Sequence, residues 1–351
     1  MRGIDCDVHP TIPGTHVLLP YLDDYWQHQL VDRGIDSLAT ITYPPNSPIT
    51  ARPDWRGEDG QAAVDVASVQ EHVFSGLGSD IAICNCLYGV QMIFNEDMAV
   101  AVARAINRFI AAEWLDRDPR LRASIVIPIQ SVEKSVEEIE YWAADKRFVQ
   151  VLVLSMGEMP LGRRHYWPIW EAAVRHGLPL AIHAGSSYHH PVTSLGWPSY
   201  HVEDYAAQSQ GFQSQVASLV CEGTFAKFPD LRVVLLESGV TWLPAFAWRL
   251  TKFWFGLRSE VPWVKVPPTE IIRDRFRLTA QPFDAPDDAA IVQRAIEHLG
   301  SDEMLLFASD YPHAQFEGDR AVPAGFSEAL TQRMRIDNPL DTYPRLRESL
   351  S

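Results

Sequence analysis

Short apolar runs recur along the chain, separated by stretches in which apolar residues return every three or four positions. Eight runs stand out: "RGIDCD" (2–7), "SDIAICNC" (79–86), "LRASIVIP" (121–128), "RFVQVLVLS" (147–155), "LPLAIHA" (178–184), "LRVVLLES" (231–238), "DRFRLTAQ" (274–281) and "MLLFASD" (304–310). Most are apolar nearly throughout, the pattern of strands covered on both faces. Between them lie "DMAVAVARAINRFIAAEWLDRD", "SVEKSVEEIEYWAADK", "YWPIWEAAVRHG" and "DAAIVQRAIEHLG", whose spacing predicts amphipathic helices.

Eight strands, each followed by a helix, predict an α/β fold of the (β/α)8 TIM-barrel type. The seventh run carries the weakest strand pattern. A doubly wound open sheet alternates in the same way, but no run opens into a Gly-rich phosphate turn. Residues 11–75 and 240–272 break the rhythm and read as long inserted loops after strand 1 and strand 6. Loops of that length form lids, substrate walls or subunit contacts. No repeat or low-complexity tract divides the 351 residues, which read as a single domain, 1–351.

Composition narrows the partners. The chain is 46% hydrophobic, with 11 Trp, 11 Tyr and 15 Phe, enough to bury a sizeable core. A formal charge of −15 repels nucleic acid and anionic lipid, so neither is expected as a partner. The start "MRGIDCDVHP" lacks a signal-peptide core, and no run approaches the roughly 20 apolar residues of a membrane span, so a cytoplasmic location is expected. Cys6, Cys84, Cys86 and Cys221 show no zinc-ribbon spacing and read as reduced buried thiols. Cys84 and Cys86 alternate on one strand face, which leaves a redox pairing open.

In such a barrel the C-terminal ends of the strands carry the chemistry. Strand 1 ends in Asp7 and His9, strand 5 in His183, strand 6 in Glu237 and strand 8 in Asp310. Asp7 and His9 are two apart, so an extended backbone projects both to one side, where they can share an ion. Asp5 lies two residues deeper and reads as an anchor for the loop or for a backbone amide. Taken singly, each residue has a structural reading as a turn, a cap or a core histidine. Their convergence at one end of one barrel favours a metal site, because folding needs no such cluster of buried polar groups. Imidazole nitrogens with carboxylate oxygens suit Zn²⁺ or Mn²⁺.

"IDCDVHP", "WPIWEAAVRHGLPLAIHAG", "GTFAKFPDLRVVLLESGVTWLP" and "LLFASDYPH" resemble, in order and spacing, segments of the amidohydrolase-related (amidohydrolase 2) family. The resemblance is to its aminocarboxymuconate semialdehyde decarboxylase-like branch and runs nearly end to end. It implies a metal-dependent enzyme with one divalent ion, Zn or Mn, held by Asp7, His9, His183 and Asp310, with Asp310 also available as general acid or base. Two departures stand out. Many relatives begin HxH where this chain has Asp7, and several decarboxylases place a histidine where this chain has Glu237. The fourth run offers no lysine to bridge two metals, so one ion is expected.

Glu237 and Asp310 are the candidate catalytic pair. An ionised Glu237 repels an anionic substrate, which favours hydrolysis of a small ester, lactone or amide by a metal-activated water. Non-oxidative decarboxylation of an aromatic or enoic acid is the alternative, and a non-catalytic binding barrel a third reading. His313, Arg249, Trp197 and Tyr188 are candidate substrate-binding residues, with His189 and His190 in the same loop as Tyr188. The aromatic 240–272 segment reads as a substrate wall or as a contact in a homodimer or higher homo-oligomer.

Overall fold

The structure, a computed structural model, describes residues 1–38, 51–185, 193–314 and 322–350. Eight parallel strands follow one another around a barrel in sequence order: β1 (Ile4–Val8), β2 (Ile81–Cys84), β3 (Leu121–Val126), β4 (Phe148–Leu154), β5 (Leu180–His183), β6 (Val233–Leu236), β7 (Phe276–Thr279) and β8 (Leu305–Leu306). β8 and β1 close the ring through the Cys6 amide on the Phe307 carbonyl (2.9 Å) and the His9 amide on the Tyr311 carbonyl (2.8 Å). The fold is the (β/α)8 barrel. Every strand residue is buried, which is why the runs read as apolar on both faces.

β8 is shorter than its apolar run. Only Leu305 and Leu306 pair with β7; the chain then pairs with β1 instead, ending in a parallel bridge between Val8 and Tyr311. Along β4, β5 and β6 the register aligns Leu154, His183 and Leu236, so the fifth-strand histidine stands beside the residue that precedes Glu237.

The described parts of the segment after β1 fold over the barrel mouth. Thr11 donates to the Ala63 carbonyl (2.8 Å), Arg52 to the Pro312 carbonyl (3.0 Å), and Ala51 bridges to His313. The segment after β6 is largely helical, Trp242–Leu257 and Pro268–Arg275. Leu243, Pro244 and Ala247 face the core at helical spacing, while Trp248, Phe253, Phe255 and Leu257 are exposed. No helix among the described residues is long and apolar enough to cross a membrane.

Candidate metal centre

Six titratable side chains meet at the C-terminal end of the barrel: Asp7, His9, His183, Glu237, Asp310 and His313. All are buried. Ligand atoms of Asp7, His9, His183 and Asp310 lie within 4.8 Å of one another, and so do those of His9, Glu237, Asp310 and His313. His9 Nε2 is 3.2 Å from Asp7 Oδ1 and 3.0 Å from Asp310 Oδ1; His183 Nε2 is 3.6 Å from Asp7 Oδ2 and 3.4 Å from Glu237 Oε2. The His9 ring stacks on His313 at 4.7 Å and meets His183 edge-on at 4.9 Å.

Backbone carbonyls fix which histidine atoms face the cluster. His9 Nδ1 lies 2.9 Å from the Asn85 carbonyl, and His183 Nδ1 contacts the Ala184 carbonyl. A carbonyl only accepts, so each Nδ1 carries the hydrogen and each Nε2 is left for the cluster. Asp7 Oδ2, His183 Nε2 and Asp310 Oδ2 are buried with no hydrogen-bond partner among the described residues. Orphaned acceptors of this kind are costly unless a cation completes them. The residues therefore fit one divalent ion, and the carboxylates supply the charge that retains it.

Electrostatics within the cluster favour positive charge in the same way. Burial pushes His9 down, but the Asp7 charge and the Asp310 hydrogen bond outweigh it and lift the imidazole to about 9. Burial also pushes Asp310 up, yet the His313 charge and the hydrogen bonds from His313 and His9 hold it below the usual carboxylate range. Glu237 has no such donor. Burial, reinforced by the charges of Asp310 and Asp7, lifts its carboxyl well above the ordinary value.

Glu237 and Asp310 both adopt left-handed backbone conformations, with φ of 53° and 55°, at a cost of about 1–3 kcal/mol each. Local hydrogen bonds hold them there. The Glu237 amide donates to Thr279 Oγ1 (3.0 Å), and the His313 amide donates to the Asp310 carbonyl (2.8 Å). Gly239 sits at φ 71°, and a Cβ on it would lie 1.8 Å from Asp284 Oδ2. A G239A variant is expected to lose at least about 1–2 kcal/mol, from the left-handed backbone alone. Urea unfolding measures this, and an unchanged midpoint would show that the turn carries no such constraint.

Asp5, one turn of the pleat deeper, accepts the amides of Ser309 (3.0 Å) and Asp7 (3.3 Å), tying the end of β1 to the chain after β8. Its burial outweighs these donors and lifts its carboxyl to about 7. His313 joins the cluster through a 2.6 Å contact from Nδ1 to Asp310 Oδ1, with Glu237 Oε2 3.9 Å away. Arg249 stands elsewhere, on the exposed face of the Trp242–Leu257 helix, over the Phe253 ring at 5.1 Å. Position 249 falls on the side of the helix opposite the buried contacts at 243, 244 and 247, so its side chain points to solvent. Trp197 is 54% exposed in the segment after β5, and Tyr188, His189 and His190 lie outside the described residues. Cys6, Cys84 and Cys86 are buried, and burial raises each thiol, which disfavours the reactive thiolate.

The profile of the amidohydrolase family matches residues 4–345. The chain belongs to the amidohydrolase family. It is thus an enzyme of the amidohydrolase superfamily, and the non-catalytic barrel is set aside. A gamma-resorcylate decarboxylase of Rhodococcus jostii is 26% identical over 238 residues, 64% of this chain and 70% of that protein. Among solved structures, an amidohydrolase from Mycobacterium avium subsp. paratuberculosis superposes with a TM-score of 0.73 at 20% identity, covering 97% of both chains. A dihydroxybenzoic acid decarboxylase from Polaromonas sp. JS666, with bound manganese and the inhibitor 2-nitroresorcinol, superposes with a TM-score of 0.69 at 20% identity, covering 99% of this chain and 98% of that one.

Proposed function

We propose that this amidohydrolase is a non-oxidative, metal-dependent decarboxylase of a small aromatic carboxylic acid. The similarity to gamma-resorcylate decarboxylase carries the reading, and the buried carboxylate–histidine cluster supports it. Asp7, His9, His183 and Asp310 are the residues that would hold the ion, with Mn²⁺ preferred over Zn²⁺ because a fold relative carries manganese. When bound, the ion supplies a positive Lewis-acid centre for an anionic substrate.

The preference for hydrolysis rested on an ionised Glu237 that repels an anion. Burial raises the Glu237 carboxyl, which weakens that premise, since a neutral acid donates a hydrogen bond to a carboxylate instead of repelling it. Loss of CO2 leaves an electron pair on the ring carbon, which must take up one proton. The hydrogen on His313 Nδ1, donated to Asp310 Oδ1 at 2.6 Å, is placed to pass to that carboxylate, and Asp310 would hand the proton on to the ring carbon.

The deciding experiment follows CO2 release by Mn²⁺-loaded protein from a panel of hydroxylated benzoates, alongside cleavage of esters, lactones and amides. CO2 from at least one benzoate is expected. Hydrolysis of any of the other substrates with no CO2 from the panel would return the reading to a hydrolase. Within the same panel, an E237Q variant should keep turnover within about tenfold of wild type, because a neutral amide still donates a hydrogen bond. A loss of several orders of magnitude would show that Glu237 exchanges its own proton during the reaction.

A further inference from the structure

A line of buried polar side chains leads away from the first-strand ligands, across β2 and β3 to β4. Asn85, just past β2, is its hub. Its Nδ2 donates to Asp7 Oδ1 (2.8 Å) and to the Cys6 carbonyl (3.1 Å). Its backbone amide donates to the Val8 carbonyl (2.7 Å), and its own carbonyl accepts the hydrogen on His9 Nδ1 (2.9 Å). The Asn85 Oδ1 atom accepts from Ser124 Oγ and from Gln150 Nε2 (3.1 Å), and Gln150 Nε2 also donates to Ser124 Oγ (2.9 Å). Asn85 and Gln150 are fully buried and Ser124 nearly so.

We propose that Asn85 is the positioning residue of the metal centre and that Ser124 and Gln150 lock it in the working orientation. One residue thereby orients both ligands of β1. With Oδ1 of Asp7 tied to the amide, Oδ2 is the oxygen left for the ion; with Nδ1 of His9 tied to the carbonyl, Nε2 is the nitrogen left for it. The flipped amide would set its oxygen against two acceptors, Asp7 Oδ1 and the Cys6 carbonyl, and its NH2 group against the Ser124 and Gln150 donors, which in the observed orientation polarise the amide so that Nδ2 donates more strongly. Outer hydrogen-bond partners of this kind orient metal ligands and tune their affinity.

The inference rests on the metal centre and not on the reaction, so its test reads the ion directly. Mn²⁺ is titrated into apo protein and free Mn²⁺ is followed by electron paramagnetic resonance, in wild type, S124A, Q150M, N85L and the N85L/Q150M double variant. N85L should bind Mn²⁺ about 10–100-fold more weakly. S124A and Q150M should weaken binding by a smaller, measurable factor. Because Gln150 acts only through Asn85, the double variant should bind no more weakly than N85L.

Additive losses in the double variant would overturn the proposal, as would a folded N85L with wild-type affinity. Either result would leave the line a structural feature of the barrel core. Circular dichroism and thermal unfolding report whether each variant folds. Should N85L fail to fold, unchanged affinity in both S124A and Q150M overturns the proposal by itself. No Mn²⁺ uptake by wild type would overturn the metal centre and this proposal together. Normal uptake without CO2 release would count only against decarboxylation.

Discussion

Replacing His183 by Ala is expected to lower Mn²⁺ affinity by more than the roughly 10–100-fold that loss of an outer hydrogen-bond partner costs, because it removes a ligand outright. His183 Nε2 is buried without a hydrogen-bond partner among the described residues, while Nδ1 is committed to the Ala184 carbonyl. Glu237 Oε2, 3.4 Å from His183 Nε2, is the neighbouring group to which any residual uptake in the variant would fall. Two measurements follow. Metal content after dialysis should fall from near one ion per chain to well below it. The rise in melting temperature on adding Mn²⁺ should also vanish: an ion at 100 times its dissociation constant stabilises the folded state by about 2.7 kcal/mol, and a variant that cannot bind gains none of it. Full occupancy in H183A would remove His183 from the ligand set.

The barrel was legible in the sequence because parallel strands buried on both faces leave near-continuous apolar runs, as "FVQVLVL" does for β4. β7 was harder to read for a definite reason: "FRLT" carries Arg277, buried all the same and donating to the carbonyls of Arg273, Asp274 and Phe276. Asp7, His9, His183, Glu237 and Asp310 could be found as strand-end residues, since barrel topology says where strand ends converge. His313 was ambiguous because a histidine beside Pro312 suits a turn equally well. Only the backbone reversal that lets its amide donate to the Asp310 carbonyl brings the ring to Asp310 and His9.

Asn85, Ser124, Gln150 and Thr279 were missed altogether. Each leaves a faint signal, a polar residue in or at the end of an apolar strand. Their partners belong to other strands, however, and which residues meet across a barrel depends on strand stagger, a non-local property that spacing along the chain does not encode. Arg249 shows the converse. A cation in an aromatic helix suggests a carboxylate clamp, yet helical phase turned it to solvent beside Phe253.

An Asp310→Asn variant should separate the two roles the site gives that carboxylate. Asp310 Oδ1 accepts from His313 Nδ1 (2.6 Å) and lies 3.0 Å from His9 Nε2, the nitrogen left for the ion, while Oδ2 is buried without a hydrogen-bond partner among the described residues. The amide is close in shape but cannot present two acceptors. If its oxygen keeps the contacts to the histidines, its NH2 group faces the position that calls for negative charge. Metal affinity should fall, and saturating Mn²⁺ should restore occupancy without restoring the reaction. Turnover at full occupancy should stay about 10²–10⁴-fold below wild type, the usual share of a positioned proton carrier. Hydrogen exchange at the ring carbon of the product in D2O gives an independent reading, because it needs the same proton delivery but no loss of CO2. Wild type should catalyse that exchange and D310N should not. Recovery of more than about a tenth of wild-type turnover in metal-saturated D310N, with exchange intact, would leave Asp310 as a ligand only and assign the proton to another group, with His313 next in reach.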